Sequence, residues 1–171
     1  RMMGEVAKQT GVATQMGNQG QAGEGARLIC EYIQSGSIGA VREVHAGSNR
    51  RPPISPRGIA RPSETPPVPP ELDWDLWLGP SPARPYHPTY HPFSWRGWWD
   101  FGTGALGDMG CHLMDMPFWA LDLKHPKSVE AVSDGATELA GPIGSTITYQ
   151  CPAGKYSHED LKFCWYDGNK E

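Results

Sequence analysis

The sequence predicts a mixed α/β fold of the α+β kind, with a largely antiparallel open sheet and helices on one face. The first fifty residues alternate helix and strand patterns, which is typical of layered α/β proteins. The strongest helix pattern lies past the middle of the chain, and three strand patterns separated by turns follow it, as in an antiparallel sheet. Seven Trp, six Tyr and four Phe in 171 residues supply the apolar surface of a core.

The chain begins with short elements. Residues 1–9 have a helical pattern, and residues 12–16 predict a short strand that the polar turn at residues 17–20 closes. Residues 24–34 carry apolar side chains at helical spacing, and residues 41–47 alternate as a strand does. Helix and strand are therefore expected to alternate up to this point.

A proline-rich insert at residues 50–96 follows. Thirteen of the seventeen prolines lie between Pro52 and Pro92, and proline interrupts both sheet ladders and helix interiors. We expect an extended segment along the surface or rim of the domain. The aromatic residues interspersed in it indicate that it packs against the rest of the molecule.

The second half of the chain predicts one helix and three strands. Residues 104–121 form the strongest helix pattern, in which Pro117 predicts a kink. The three strand patterns lie at residues 128–132, 145–150 and 161–166. Because turn residues separate them, consecutive strands are expected to pair in an antiparallel sheet.

Composition excludes several classes of partner. The formal net charge of −4 excludes a generally basic surface of the kind that binds nucleic acid. The sequence has no apolar run as long as a membrane span and no signal-peptide core, so we predict no membrane partner. Four cysteines are too few and too scattered for a disulfide scaffold.

Both ends of the sequence look cut. The chain starts inside a helix pattern that has no cap, and it ends just after an Asp167-Gly168 turn that has no return strand. We therefore expect a fragment of a longer protein. An N-terminal targeting signal would be lost with the missing segment, so the compartment stays open, either cytoplasmic or exported to the periplasm.

Asp108, His112 and Asp115 form the clearest chemical pattern. Positions i, i+4 and i+7 share one face of a helix, so two carboxylates and an imidazole would point the same way. A carboxylate favours the protonated form of a neighbouring histidine and fixes its orientation, which suits proton transfer near neutral pH. Two other interpretations are a helix cap with a polar face, and a zinc or manganese site. Because no fourth ligand lies nearby in the sequence, our prediction contains no metal.

The segment before this helix supplies candidate substrate-binding residues. Its glycines allow the backbone to approach a ligand closely. Trp95 and Trp98 offer flat faces of the kind that bind sugar rings, although tryptophans also fill cores. Arg96 would clamp a substrate hydroxyl or carboxylate, or it would pair with Asp100.

Two stretches carry a resemblance to a known family. Residues 95–123 read WRGWWDFGTGALGDMGCHLMDMPFWALDL and resemble the catalytic segment of the Gfo/Idh/MocA oxidoreductases, the family of glucose–fructose oxidoreductase and inositol dehydrogenase. Residues 12–50 resemble the crossing from that family's Rossmann domain to its C-terminal domain. The resemblance implies that residues 1–20 are the tail of an NAD(P)-binding Rossmann domain, with its last helix and strand. Residues 21–171 would then be a partial C-terminal catalytic domain that contains the proline-rich insert.

The resemblance also implies an activity, which is hydride transfer between a hydroxyl-bearing carbon of a sugar or cyclitol and the nicotinamide of NAD or NADP. His112 would be the acid/base for the hydroxyl proton, and Asp108 would orient the substrate or His112. Asp115 would support substrate binding, and the turn with Asn18 and Gln19 would approach the nicotinamide. The open sheet would associate subunits into a homo-oligomer.

Two features of the family would precede residue 1, namely its glycine-rich phosphate loop and its Glu-Lys-Pro motif. We therefore expect these 171 residues alone to be inactive. Two further functions stay open. One is a non-catalytic carbohydrate-binding or assembly module, and the other is a lyase or isomerase built on the same scaffold.

Overall fold

A four-stranded sheet with helices packed against it organises the fold. The computed structural model describes residues 2–15, 17, 20–49, 60–157 and 159–168. In chain order its elements are α1 (Met2–Thr10), α2 (Glu24–Gln34), β1 (Glu43–Ser48), α3 (Trp74–Leu78), a 3-10 turn (Ser94–Gly97), α4 (Gly104–Leu113), α5 (Asp115–Ala120), β2 (Ser128–Asp134), β3 (Gly144–Cys151) and β4 (Leu161–Asp167). Among these helices, none is both long and apolar enough to cross a bilayer.

The sheet has the strand order β1-β4-β3-β2. β2, β3 and β4 pair with their neighbours in antiparallel fashion, whereas β1 runs parallel to β4. The predicted largely antiparallel, open sheet is therefore confirmed. The parallel pair joins β1 to β4. Parallel neighbours need a long crossover connection, and the long segment between these two strands provides it.

Successive side chains of each strand point to opposite faces of the sheet. One face packs against the helices, where Leu161, Phe163 and Cys151 are fully buried beside Leu121, the residue after α5. The other face is polar and partly exposed. Its side chains include Glu43, His45, Lys162 and Tyr166.

An aromatic cluster anchors the proline-rich insert. The rings of Trp74 and Tyr86 meet edge to face with centroids 5.4 Å apart, and Tyr90 and Trp98 belong to the same buried cluster. Burial of such large rings supplies the apolar area that a proline-rich segment needs in order to pack. The prediction that this insert packs against the rest of the molecule is confirmed for its described residues.

The sequence predicted an extended insert. The insert is not extended throughout, because α3 forms within it. Asp73 caps this helix by accepting a hydrogen bond from the Leu76 N–H at 3.0 Å. The nine residues between Pro70 and Pro80 leave room for a five-residue helix of this kind. Residues 50–59 of the insert lie outside the described residues.

The strand predicted at residues 12–16 is wrong. The described residues 12–15 have no regular structure, and all four are exposed. A strand is stabilised by a paired neighbour and by a buried face, and full exposure removes the second of these. The preceding helix is as predicted: α1 ends at Thr10, before Gly11 with a φ of 69°.

The helix predicted at residues 104–121 is divided in two. α4 ends at Leu113 and α5 begins at Asp115. Pro117 has no N–H to donate to the carbonyl of Leu113, four residues earlier, and its ring crowds that carbonyl. The predicted kink is therefore confirmed, and it places Asp115 on a different helix from His112.

A surface ion pair holds the connection between β3 and β4. Lys127 Nζ donates to both carboxylate oxygens of Asp160 at 2.7 Å, and the Ala153 N–H donates to Asp160 Oδ1 at 3.1 Å. The hydrogen bonds from Lys127, with that from the Ala153 amide, lower the pKa of Asp160. A carboxyl with a depressed folded pKa stabilises the fold above its unfolded pKa of about 4. This stability is lost as the pH falls through the lower, folded value.

We therefore expect Asp160→Asn to lower the urea midpoint of unfolding slightly at neutral pH, because the pair is exposed. In strong acid, where the wild-type carboxyl is protonated in both states, the two midpoints should coincide. Urea titrations at several pH values measure the difference, with the exposed Glu130→Gln as the control. A difference between wild type and Asp160→Asn that does not change with pH would contradict this account.

Candidate active site around His112

A tight loop leads into α4, the helix that carries His112. A Cβ on Gly107 would overlap the side chain of Thr103, and a Cβ on Gly102 would overlap the backbone of Arg96. Any larger residue at either position would push the chain apart. These two glycines therefore allow the loop to fold back onto the 3-10 turn. This fold brings the side chain of Arg96, which belongs to the 3-10 turn, beside α4.

His112 lines a cavity of about 610 Å³ between the helices α4 and α5 and the loop before α2. The full lining consists of Gly17, Gly20, Gln21, Cys111, His112, Asp115 and Met116. His112 and Asp115 thus border the same space, although the kink places them on different helices. Asn18 and Gln19, which the resemblance assigns to the nicotinamide end, lie outside the described residues.

A smaller cavity of about 340 Å³ shares one lining residue, Cys111, with the first. Its lining consists of Trp95, Arg96, Phe101, Gly102, Thr103, Gly107, Asp108 and Cys111. Asp108 therefore borders the smaller cavity, whereas His112, one helical turn later, borders the larger. Asp108 and His112 are thus four residues apart on the same helix, but each lines a different cavity.

Arg96 is paired with Asp108. Its Nε donates to Asp108 Oδ1 at 3.1 Å, and its Nη1 donates to the carbonyl of Phe93 at 2.8 Å. The alternative pairing of Arg96 with Asp100 is wrong, because Asp100 pairs with Arg84 instead. Arg84 is buried against aromatic rings, so this second pair belongs to the aromatic cluster and not to the cavities.

Trp98 lies in the core and lines neither of these two cavities. It is 1% exposed, its indole N–H donates to the carbonyl of Thr89 at 3.0 Å, and its ring lies 5.0 Å from that of Tyr90. The expected role of Trp98 in substrate binding is therefore corrected, because almost none of its surface is open to a ligand. Trp95 lines the smaller cavity beside Arg96 and stays a candidate for substrate binding.

Several residues that line the cavities were not predicted from the sequence. Gln21 lines the larger cavity, and its place directly after the turn expected at the nicotinamide was the available signal. Met116 and Thr103 gave no signal, since an apolar helix residue and a loop hydroxyl usually serve packing and turns. In the described part of the chain, no group of three or more His, Cys, Asp or Glu side chains is arranged to hold a metal ion.

Cys111 is expected to react with iodoacetamide faster than the other three cysteines. It is exposed and lines both cavities, whereas Cys30, Cys151 and Cys164 are buried. Burial also raises the pKa of the Cys30 and Cys151 thiols, which lowers the fraction of reactive thiolate. Peptide mass mapping after brief alkylation of the native protein measures the order, and Cys111→Ser is the control. First labelling of any of the buried thiols would contradict the structure.

Comparison with known families agrees with this geometry. Residues 59–154, more than half of the chain, match the profile of an oxidoreductase family's C-terminal α/β domain. The matched range contains both of the helices that border the cavities and two of the four strands. A search of curated proteins finds no significant match. With the mixed sheet and the helix that carries Asp108 and His112, this match shows that the chain belongs to the Gfo/Idh/MocA family of oxidoreductases.

Proposed function

We propose that this domain takes part in hydride transfer between a hydroxyl-bearing carbon of a sugar or cyclitol and the nicotinamide of NAD or NADP. The observation that carries the proposal is the larger cavity, which brings His112 together with the loop that contains Gln21. A general base has to lie within hydrogen-bond reach of the proton that it removes. A space of about 610 Å³ bordered by an imidazole, a carboxylate and an amide is of the size and chemistry that suit a small polar ligand.

His112 has the central task. Oxidation of an alcohol removes a hydride from carbon and a proton from oxygen, and the bound nicotinamide supplies the acceptor for the hydride. His112 accepts the hydroxyl proton, because a histidine imidazole exchanges protons at neutral pH. In the direction of reduction, the imidazolium returns that proton to the oxygen of the new hydroxyl group.

Two carboxylates and one indole ring bind and orient the substrate in this proposal. Asp115 borders the same cavity as His112 and accepts hydrogen bonds from substrate hydroxyls. Asp108 lies one turn before His112 and orients the imidazole or a substrate group in the smaller cavity. Trp95 offers a flat apolar face there, while Arg96 is already paired with Asp108.

The residues at the larger cavity fit the reactive end of a nicotinamide nucleotide. Gly17 and Gly20 leave open space where a side chain would stand, and Gln21 brings an amide that can exchange hydrogen bonds with a carboxamide. The described residues do not include a site for the phosphates of the nucleotide. A glycine-rich phosphate loop that follows a strand does not occur among the described residues, and the resemblance places that loop before residue 1.

The test is oxidation of a panel of sugars and cyclitols by the full-length protein, with NAD+ and with NADP+, followed by the absorbance of reduced nicotinamide. We expect at least one polyol to drive this reduction, at the same rate with and without EDTA. Conversion of a sugar without added nicotinamide, abolished by the chelator, would favour the lyase or isomerase. Sugar binding with no redox activity would favour a carbohydrate-binding module.

A further inference from the structure

We propose that Arg96 is a positioning residue that acts on the reaction through Asp108, and that it does not clamp the substrate. The proposal deepens the function proposed above and rests on it, since Asp108 lies one turn before His112 on α4. It predicts that loss of Arg96 lowers the turnover rate while substrate binding changes little.

The polar contacts of the Arg96 side chain are directed at the protein. Nε donates to Asp108 Oδ1 at 3.1 Å, and Nη1 donates to the Phe93 carbonyl at 2.8 Å. The guanidinium carbon also lies 4.1 Å from the centroid of the Phe93 ring and 4.5 Å from that of the Trp95 ring. Only 22% of the Arg96 side chain is exposed. A planar guanidinium that is hydrogen-bonded at two nitrogens and stacked on aromatic rings keeps one orientation.

Close packing of the loop at Gly102 also restrains the backbone of Arg96. Gly102 passes so close to the Arg96 backbone that even a methyl group on Gly102 would overlap it. The Gly102 N–H also donates to the carbonyl of Trp98 at 2.7 Å, which ties this loop to the buried core. The Arg96 backbone therefore cannot shift unless the loop that leads into α4 shifts with it.

The pair constrains Asp108 next to His112. A charge-assisted hydrogen bond from a guanidinium is stronger than a neutral one and fixes the direction of the carboxylate. Residues four apart on a helix have Cβ atoms roughly 5–6 Å apart, so we infer that the direction of this carboxylate contributes to the electrostatic field at the imidazole. Loss of Arg96 removes this hydrogen bond, and we expect the direction of the Asp108 carboxylate, and with it the field that acts on His112, to be less well defined.

The test is a double-mutant cycle in the full-length protein, with Arg96→Gln, Asp108→Asn and the two combined. The first readout needs no substrate: it is the ring resonances of isotope-labelled histidine, with the His112 signal identified by its loss in His112→Gln. We expect each single substitution to shift the His112 resonances, and the double variant to match Asp108→Asn alone. Arg42→Gln removes an exposed arginine that pairs with Glu159 and lines neither of the two cavities, and it is the matched control, which should leave the resonances unchanged.

The second readout separates kcat from KM, with the polyol that the wild-type protein oxidises fastest in the panel. Arg96→Gln is expected to lower kcat by about 10-fold or more and to change KM by less than about twofold, with no further loss in the Asp108→Asn background. An increase in KM at constant kcat would overturn the proposal, because it is the signature of a substrate clamp. Additive shifts of the His112 resonances in the double variant would overturn it as well.

If Arg96→Gln does not fold, Arg96→Lys keeps the positive charge and loses the planar fork. It is expected to shift the His112 resonances in the same direction by a smaller amount, and a shift that adds to that of Asp108→Asn would overturn the proposal. Failure of the proposed function is distinguishable from failure of this inference. Full kcat in His112→Gln would end the assignment of His112, whereas the resonance cycle would still decide whether Arg96 acts through Asp108.

Discussion

Replacing His112 by alanine is expected to lower kcat for polyol oxidation by about 10²–10⁴-fold, the range typical of the loss of a general acid/base. His112 borders the larger cavity, and no other imidazole borders it among the described residues. The alanine variant leaves the rest of the lining in place. Nucleotide affinity, measured by fluorescence titration with NAD+ and NADP+, should therefore change little.

The matched control for this experiment is His125→Ala. His125 is exposed and lies after α5, away from the residues that line either cavity. Its loss should leave kcat and the free energy of unfolding near their wild-type values. Equal turnover in the His112 and His125 variants would contradict the acid/base role of His112.

Replacing Trp98 by alanine is expected to lower the free energy of unfolding by about 3–5 kcal/mol, the cost of removing a large buried aromatic ring. Trp98 is 1% exposed and packs in the aromatic cluster with Tyr90. The substitution also leaves the carbonyl of Thr89 without its indole donor. Urea titration followed by circular dichroism measures the loss.

Trp119→Ala is the comparison for Trp98, because Trp119 is 43% exposed. Its loss should cost roughly 1 kcal/mol, since less apolar surface leaves the core. If Trp98→Ala kept its stability and instead raised the KM for a sugar, Trp98 would be a substrate residue after all. The correction made from its burial would then be wrong.

Local patterns predicted most of the secondary structure. The helix at residues 24–34 has the predicted bounds, and each predicted strand of the second half appears with one or two more residues at its ends. These segments have a clear apolar period that ends at turn residues. The segment at residues 12–16 has strand-like composition as well, but no local pattern tells whether a neighbour will cover it. The parallel pairing of β1 with β4 is equally non-local.

The candidate site was predictable where it depends on one helix. Asp108 and His112 follow from their spacing of four residues, which one turn of α4 brings together. The partner of Arg96 depends on how the 3-10 turn packs against α4, and the local sequence suggested only the nearer Asp100 as a pairing partner. Likewise, composition alone did not distinguish the buried Trp98 from Trp95 at the smaller cavity, because tryptophan serves both cores and ligand sites.

The most direct test of the proposed chemistry follows the hydrogen itself. The full-length protein is incubated with the polyol identified in the panel, deuterated at its hydroxyl-bearing carbons, and the reduced nicotinamide is analysed by mass spectrometry. The account predicts that the reduced nicotinamide carries one deuterium from the substrate, at a rate that falls with His112→Ala. Deuterium that is released to water while the sugar is converted, with none in the nicotinamide, would contradict it.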